Sequence, residues 1–411
     1  MSSPKHKTTP SGKPAPNLDS AGKIVVDFSI KYFQFLDENG RLAEDAPEFA
    51  HDNELLLEFY RVIRTLQVFD HKVLKLHRSG KMGTYTGTLG QEAVGAGTAK
   101  ALLDTDVFVP YYRSTTDLYV RGAKLHEILL YWGGDERGSD FQDPRLKNDL
   151  PIPICIGSQL LHAAGIATAI KLRKQANRAV LTFIGDGGTS EGDFYEALNV
   201  AGVWQLPMVI VINNNQWALS EPNGKQTHCQ TLAQKAIAGG FEGVQVDGND
   251  VIAVHAATLA AMEKARNGGG PTLIEAITYR LCSHTTIDNM ERYVDSRDHQ
   301  QAQLKEPSLR LRTLLQERGV LDDSLEKQIA FFENHRSRML YKTYRDQGLF
   351  YGSGIIEAGC RAVIGQRLKE SGMFWTEEGA ENVLALRCAL KGKRWDECWD
   401  RIHDSANLKA A

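Results

Sequence analysis

The stretch AVLTFIGDGGTSEGDFYEALNVAGVWQLPMVIVINNN, residues 179–215, decides the fold of this chain. It opens with a continuous apolar strand at 179–184, continues through a glycine-rich turn and a helical segment at 190–201, and closes with a second apolar strand at 207–212. Strands that lack polar positions are typical of parallel sheets covered by helices on both faces. The stretch therefore predicts a strand–helix–strand unit of an α/β domain.

The same alternation extends in both directions from this unit. Apolar residues at three- and four-residue spacing predict a long helix at 53–77. Because crossovers between parallel strands are right-handed, the pattern predicts a doubly wound parallel sheet, with a helical segment before it and a helical tail after it. Further helices are expected at 90–103, 166–174, 233–238 and 251–267, and further strands at 106–110, 244–246 and 271–278.

The composition restricts the class of protein. The 48 Lys and Arg residues and 51 Asp and Glu residues give a formal net charge of −3, which favours neither nucleic acid nor an anionic membrane surface. No apolar run approaches the roughly 18 residues of a membrane helix. The cysteines form no C-x-x-C pair, which indicates a reducing compartment. We therefore expect a cytoplasmic protein with no nucleic-acid or membrane partner.

Polar residues follow both strands of the quoted stretch. The run GDGG at 185–188 follows the first strand, and Asn215 follows the second, 29 residues after Asp186. Ligands of open parallel sheets bind at the carboxyl ends of the strands, and hard oxygen ligands suit a magnesium ion that bridges a diphosphate. We predict such a site here. A turn without a ligand is the alternative for GDG alone, and a nicotinamide-binding fold would need a G-x-G-x-x-G spacing that these glycines do not give.

Residues 185–215 resemble the thiamine-diphosphate-binding motif, and residues 185–220 are similar to the alpha subunits of the two-subunit 2-oxo acid dehydrogenases. The similarity covers about residues 26–328. It implies a thiamine-diphosphate-binding fold with thiamine diphosphate and Mg2+ as cofactors. The implied reaction is oxidative decarboxylation of a 2-oxo acid with acyl transfer to a lipoyl group, pyruvate being the first choice of substrate and branched-chain 2-oxo acids the second.

The resemblance also implies a role for each matching residue. Asp186, Asn215 and the backbone carbonyl of Trp217 would ligate Mg2+. His284 would be the catalytic residue that faces the cofactor and the acyl transfer, and an ionisation near pH 7 would suit proton movement there. The other cofactor-binding residues would be Tyr112 and Arg113 on the diphosphate, Ser158 and Leu160 beneath the aminopyrimidine, and Gly185, Gly187 and Gly188 in the diphosphate loop.

Only one α/β domain is apparent, so we expect the chain to form half of a site. In the resembled family, a beta subunit supplies the glutamate that activates the cofactor. The resemblance therefore implies an alpha2-beta2 assembly with cofactors at the subunit interfaces. The lipoyl domain of the acyltransferase component would be a further partner. Alone, the chain should bind cofactor poorly and turn over no substrate.

The residues after the dehydrogenase-like part have a different character. Residues 331–403 are similar to the carboxyl end of an insertion-sequence transposase, with the signatures GSGIIE at 352–357, QRLK at 366–369 and SGMFW at 371–375. Glu357 would match the last acid of a catalytic triad, and the other two acids would lie in a missing part. Two-metal phosphoryl transfer needs all three acids. We therefore expect a fusion with its junction near 327–331.

These observations predict three parts of the chain. A disordered tail is expected at 1–21, a thiamine-diphosphate-binding alpha domain at 22–328, and a foreign transposase-like segment at 329–411. A lineage-specific helical extension is the alternative for the last segment. For the whole chain, the alternatives are an inactive remnant of the subunit and a transposase-related DNA-processing protein.

Overall fold

The computed structural model describes residues 23–321, 334, 341–348, 354–368 and 375–410. The tail expected at 1–21 and the junction expected at 327–331 lie outside these residues. The chain divides into two compact units, Met1–Asp322 and Asp323–Ala411.

Residues 23–321 of the first unit contain six parallel strands: β1 (Lys31–Phe33), β2 (Val107–Val109), β3 (Val180–Gly185), β4 (Met208–Asn214), β7 (Glu242–Asp247) and β8 (Thr272–Ile277). Their order across the sheet is β1-β7-β8-β4-β3-β2, so the two strands of the quoted stretch, β3 and β4, are neighbours. Two short strands, β5 (Trp217–Ala218) and β6 (Glu221–Pro222), pair antiparallel after β4. The predicted α/β fold with a parallel sheet is therefore confirmed.

Alternate residues of β4 face opposite layers of helices. Ile210 belongs to an apolar cluster with α5 (Ser158–Leu172) and α6 (Gly192–Val203). Val211 belongs to the cluster on the other face, which includes residues of α9 (Val251–Arg266). Every residue of β4 is buried, which explains why the strand has no alternating polar positions.

The long first helix, α1 (Asn53–Arg78), begins and ends within one residue of the prediction. The carboxylate of Asp52 caps it by accepting hydrogen bonds from the amides of Glu54 (2.9 Å) and Leu55 (3.2 Å). The other helices of this unit are α2 (Glu92–Lys100), α3 (Thr115–Arg121), α4 (Leu125–Trp132), α7 (Asn223–Gln226), α8 (Lys235–Gly239), α10 (Ser296–Gln303) and α11 (Pro307–Glu317). No helix in the described part of the chain is long and apolar enough to cross a membrane.

Helix α5 differs from the prediction, because it begins at Ser158 whereas the sequence pattern placed its start at 166. Gly157 precedes it with a φ of 89°, a conformation that suits glycine, and the helix starts directly after this turn. Its first half is rich in alanines that pack in the core, such as Ala163 and Ala164. Small core residues give little apolar periodicity, so the prediction omitted this half.

Strand β1 was not predicted, because three residues are too few to give a periodic pattern. It pairs parallel with β7 at the edge of the sheet. The chain after β1 is fixed by Asp250, whose carboxylate accepts hydrogen bonds from the amides of Phe35 (2.6 Å) and Leu36 (2.8 Å). The same carboxylate caps α9 by accepting from the Ile252 amide at 2.9 Å. One buried acid therefore joins the segment after β1 to a helix of the domain.

The described residues of the second unit are mostly helical, as expected for the tail. The Arg387 side chain donates from Nε to the carbonyl of Val363 at 2.9 Å and so joins two of its helical segments. The segments are Tyr341–Asp346, Gly354–Gly359, a π-helical stretch at Cys360–Gly365, Gln366–Leu368, Glu377–Lys391 and Trp395–Ala410.

Candidate functional site

The carboxyl ends of β3 and β4 lie side by side at one edge of the sheet. Gly185, the last residue of β3, is the register partner of Asn213. Neighbouring parallel strands lie roughly 4.8 Å apart. Asp186 and Asn215, which follow within two residues of this pair, are therefore at the same edge.

Asp186 carries a buried carboxylate with one unpaired oxygen. The residue is 2% exposed, and its Oδ2 has no hydrogen-bond partner among the described residues. Burial raises the pKa of Asp186 to about 6, although the guanidiniums of Arg280 and Arg113 act in the opposite direction. A buried carboxylate oxygen without a donor is unfavourable unless a cation binds it. The site therefore has the chemistry of a cation ligand.

Asn215 has a carboxamide whose two ends are both engaged. Its Nδ2 donates to Oε1 of Gln91 (2.9 Å), and its Oδ1 accepts from the Trp217 amide (3.2 Å). An amide oxygen has two lone pairs, so Oδ1 retains one for a metal ion. Asn213 and Asn214 bond elsewhere, to the Tyr111 hydroxyl and the Glu275 carboxylate.

The glycines of the loop after β3 play different roles. A Cβ atom at Gly187 would lie 2.8 Å from the Cβ of Ala218, and one at Gly188 would lie 2.6 Å from a side chain of β3. These two glycines therefore allow close packing of the loop. At Gly185 the nearest atom to such a Cβ is the Tyr112 hydroxyl oxygen, 4.0 Å away, so this glycine has no close neighbour.

Tyr112, Arg113 and His284 form a cluster beside this loop. Arg113 is 3% exposed, and it donates from Nη1 to the Gly87 carbonyl (2.5 Å) and from Nη2 to the carbonyl oxygen of His284 (3.3 Å). Its Nη2 also lies 3.3 Å from Nδ1 of His284. The rings of Tyr112 and His284 meet edge to face, with centroids 6.0 Å apart. The structure therefore brings these three predicted residues together.

Arg280 connects the His284 loop to the loop after β4. The residue is 1% exposed, and its Nη2 donates to the Leu219 carbonyl at 2.7 Å. Its Nη1 lies 3.5 Å from the Trp217 carbonyl oxygen and 3.4 Å from Nδ1 of His284. A guanidinium only donates, so Nδ1 of His284 is an acceptor and the neutral ring carries its proton on Nε2.

The prediction that His284 ionises near pH 7 is wrong, because its surroundings lower the pKa of the imidazole. Burial lowers the pKa of His284 to about 3, and the charges of Arg113 and Arg280 lower it further than the nearby Asp288 raises it. Two cations beside one imidazole oppose its protonation. The side chain is therefore neutral at physiological pH.

Ser158 and Leu160 make their contacts outside the His284 cluster. The Ser158 hydroxyl donates to the carbonyl three residues earlier at 2.8 Å. Leu160 is fully buried in the apolar cluster of α5, and its amide donates to the Gly157 carbonyl at 3.0 Å. The segment still borders the glycine loop, since an Ile156 methyl lies 3.0 Å from a Cβ placed on Gly188.

Sequence reasoning missed three residues that hold the loops of the site. Gln226 donates to the Gly187 carbonyl at 2.6 Å, and Lys235 donates to the Thr189 carbonyl at 2.9 Å. Neither gave a signal, because both lie far along the chain from the loop that they hold. Arg280 did give one, since it follows β8 directly and strand ends of a parallel sheet face the site.

Within the described residues, no group of three or more His, Cys, Asp or Glu side chains could hold a metal ion. A cation at Asp186 would therefore need neutral oxygen ligands in addition to this carboxylate. The Asn215 amide oxygen and the Trp217 carbonyl oxygen are of that kind, and both are hard ligands that suit Mg2+. The residues present thus fit the predicted metal.

Residues 60–332 match the model of the family described as dehydrogenase E1 component. The chain is 42% identical to "Pyruvate dehydrogenase E1 component subunit alpha" of Acholeplasma laidlawii over 294 residues, which are 71% of this chain and 84% of that protein. It is 39% identical to the protein of the same name from Staphylococcus aureus strain Mu50 over 322 residues, 77% of this chain and 86% of that protein. These comparisons confirm the resemblance to alpha subunits. The chain belongs to the dehydrogenase E1 component family.

Proposed function

We propose that this chain is the alpha subunit of a pyruvate dehydrogenase that decarboxylates pyruvate with thiamine diphosphate and Mg2+ and transfers the acetyl unit to a lipoyl group. The observation that carries the proposal is the unpaired, buried Oδ2 of Asp186 beside the buried guanidiniums of Arg113 and Arg280. A cation on the carboxylate and an anion on the guanidiniums would compensate these buried charges. The names of the relatives support pyruvate as the substrate.

Three oxygens would hold the metal ion. Asp186 provides the charged ligand through Oδ2, which has no competing donor among the described residues. Asn215 Oδ1 and the Trp217 carbonyl oxygen would complete the protein's share of the coordination. The remaining positions of Mg2+ suit diphosphate oxygens and water, since this ion seldom binds to protein ligands alone.

The diphosphate would lie over the loop at 185–188. The amides of Gly187 and Gly188 would donate to its oxygens, and Gly185 would leave room for them. Arg113 and Tyr112 would complete the contacts, because a guanidinium fork matches phosphate oxygens. Ser158 and Leu160 would border the aminopyrimidine end.

Bound thiamine diphosphate supplies the electron sink that the loss of CO2 requires. The part of this chain is to hold the cofactor and to present His284 as a neutral donor. Because Nδ1 of His284 faces two guanidiniums, Nε2–H is the end available to a substrate carboxylate or carbonyl oxygen. The two arginines keep the ring in this tautomer and fix its direction.

The proposed enzyme is complete only with a beta subunit. The first unit contains one parallel sheet in its described residues, and the glutamate expected to activate the cofactor belongs to the beta subunit. We propose an alpha2-beta2 assembly that serves the lipoyl domain of an acyltransferase in the cytoplasm. Six free cysteines agree with a reducing location.

Calorimetric titration of thiamine diphosphate with Mg2+ tests the proposal. We expect binding to the chain assembled with its beta subunit and at least tenfold weaker binding to the chain alone. Asp186→Asn should abolish the Mg2+-dependent part of the binding. Asp143→Asn, which alters a surface ion pair with Arg145, is the matched control and should bind normally.

Pyruvate decarboxylation by the same assembly, followed with an artificial electron acceptor, tests the reaction. Unchanged Mg2+-dependent binding by Asp186→Asn would show that the metal ligands are assigned wrongly. Binding without turnover of pyruvate or of any branched-chain 2-oxo acid would support the remnant alternative.

We also propose that residues 329–411 derive from a transposase and are foreign to the enzyme. The family match supports a boundary close to this point, since it ends at residue 332, four residues after the proposed end of the dehydrogenase part. Glu357 alone cannot support two-metal chemistry, so a Mg2+-dependent strand-cleavage assay should be negative. Sequencing genomic DNA across 327–331 tests the fusion. An uninterrupted alpha-subunit terminus at that point would contradict it.

A further inference from the structure

The side chain of Gln91 lies against the proposed metal ligand Asn215. Gln91 is 3% exposed and Asn215 is 5% exposed, so neither amide is oriented by bulk water. Nδ2 of Asn215 donates to Oε1 of Gln91 at 2.9 Å. The two residues are 124 positions apart, so the contact is made by the fold rather than by local sequence.

The backbone of Gln91 is held at the end of β8, next to β4. Its amide donates to the Thr88 carbonyl at 2.8 Å, closing the turn before α2. The Thr278 hydroxyl donates to the Gly90 carbonyl. Gly90 has a φ of 85°, and a Cβ there would lie 2.2 Å from the Tyr279 carbonyl oxygen, so the turn sits directly on the chain that follows β8.

We infer that Gln91 is a positioning residue that keeps the Asn215 amide in the orientation a metal ion needs; the inference rests on the proposed function. An asparagine side chain has nearly the same shape after a half-turn, and only its hydrogen bonds decide which end is oxygen. Oε1 of Gln91 accepts from Nδ2, which leaves Oδ1 for the Trp217 amide and the metal ion. Without that acceptor, only the longer contact from the Trp217 amide, at 3.2 Å, would oppose a half-turn that directs an NH2 group at the cation.

Gln91 also has an unpaired donor of its own. Its Nε2 is buried and has no hydrogen-bond partner among the described residues. Gln91 therefore accepts from Asn215 even though its own donor remains unsatisfied, which is the arrangement that the orientation of Asn215 requires.

Testing Gln91→Met both with Asn215 unaltered and together with Asn215→Asp separates the effect of Gln91 on the orientation of the Asn215 amide from its effect on packing. Gln91→Met keeps the size of the side chain and removes the acceptor. Asn215→Asp makes residue 215 symmetric, since a carboxylate presents an oxygen at either end and has no wrong orientation. In that background the orienting acceptor is no longer needed, so Gln91→Met should matter little. Gln67→Met, at a buried glutamine bonded to Arg64 and Glu306, is the control for loss of a buried amide.

The measurement is Mn2+ affinity, followed by electron paramagnetic resonance, of the chain assembled with its beta subunit and saturated with thiamine diphosphate. With Asn215 unaltered, we expect Gln91→Met to weaken Mn2+ binding about tenfold. Combined with Asn215→Asp, the same substitution should weaken it less than threefold. Gln67→Met should leave Mn2+ binding unchanged. Equal losses in both backgrounds, or no loss in either, would overturn the inference. Absence of Mn2+ binding by the unaltered assembly would instead overturn the proposed metal site and the inference with it.

Discussion

The Nη1 atom of Arg280 lies 3.4 Å from Nδ1 of His284. Burial of the ring lowers the pKa of His284 most, and this contact, with Arg113 on the same nitrogen at 3.3 Å, lowers it further, so the imidazole remains neutral at physiological pH. It also fixes the tautomer, so that the ring offers a proton from Nε2 and accepts none there.

This relationship predicts the titration of His284. We expect its 13Cε1 resonance, in the cofactor-free assembly, to titrate well below pH 5, because burial and the two guanidiniums hold its pKa near 3. Arg280→Gln removes one cation and should raise the pKa by about one unit. His284→Asn assigns the resonance. A midpoint near 6.5 in the unaltered protein would contradict the assignment of both arginines to Nδ1.

The same shift predicts a pH dependence of stability. Below about pH 6.5 the unfolded chain protonates His284 and the folded chain does not, so this residue's contribution to the free energy of unfolding decreases as the pH falls from 6.5 towards 3. His284→Asn should flatten that part of the profile in urea unfolding at low salt. An unchanged slope would show that other groups produce it.

Asp186→Asn should stabilise the cofactor-free protein. The pKa of Asp186 is raised to about 6, so the stability associated with its neutral form is present below pH 4 and is lost as the pH rises through 6. The variant avoids this loss. The difference in the free energy of unfolding between the variant and the unaltered protein, measured in urea, should therefore grow from pH 4 to 6.5 and then stay level at about 3 kcal/mol. Saturating Mg2+ and thiamine diphosphate should reverse the order of the two proteins.

Two glycines of α6 provide a matched test of packing. A Cβ atom at Gly202 would lie 1.7 Å from the Gly239 carbonyl oxygen, whereas one at Gly192 would have no atom within 4 Å. Gly202→Ala should lower the free energy of unfolding by about 3 kcal/mol or more. Gly192→Ala should change it by no more than about 0.5 kcal/mol. Similar unfolding midpoints for the two variants would contradict the close approach of α6 and α8.

We predict that Asp70 stabilises the loop of residues 85–89, whose Gly87 carbonyl accepts a hydrogen bond from Arg113. Its carboxylate is buried and accepts several donors of that loop, and an amide in its place would turn an NH2 group towards some of them. Asp70→Asn should lower the free energy of unfolding by about 2–3 kcal/mol and weaken thiamine diphosphate binding. Asp135→Asn, at an exposed ion pair, is the control and should change neither quantity measurably. The loop donors are the Tyr85 hydroxyl and the amides of Thr88 and Leu89, and the adjoining Gly87 carbonyl accepts from Arg113.

The sequence predicted the central sheet well, because strands buried on both faces are continuous apolar runs. β3, β4 and β8 each lie within two residues of their predicted bounds. Prediction failed where the signal comes from tertiary contacts. The edge strand β1 is defined only by its pairing with β7, and the first half of α5 by alanines that fit against the sheet.

The site was predictable to the extent that it lies at strand ends. GDGG and Asn215 could be placed at one edge because parallel topology brings successive strand ends together. The neighbours that set their properties could not be placed. Gln91 reaches Asn215 across 124 residues, and the neutral state of His284 depends on its burial in the fold and on the charge of Arg113, 171 residues away.

The segment from Lys31 in β1 to Leu36, which we call the strap, has a practical consequence for the design of truncated variants. The family match begins at residue 60, after the strap. A shortened chain that started there would expose the outer edge of β7 to pairing with other molecules, and the Asp250 carboxylate would lose two of its backbone donors. The boundary suggested by similarity is thus a poor place to cut, and a usable truncation has to retain Lys31 onward.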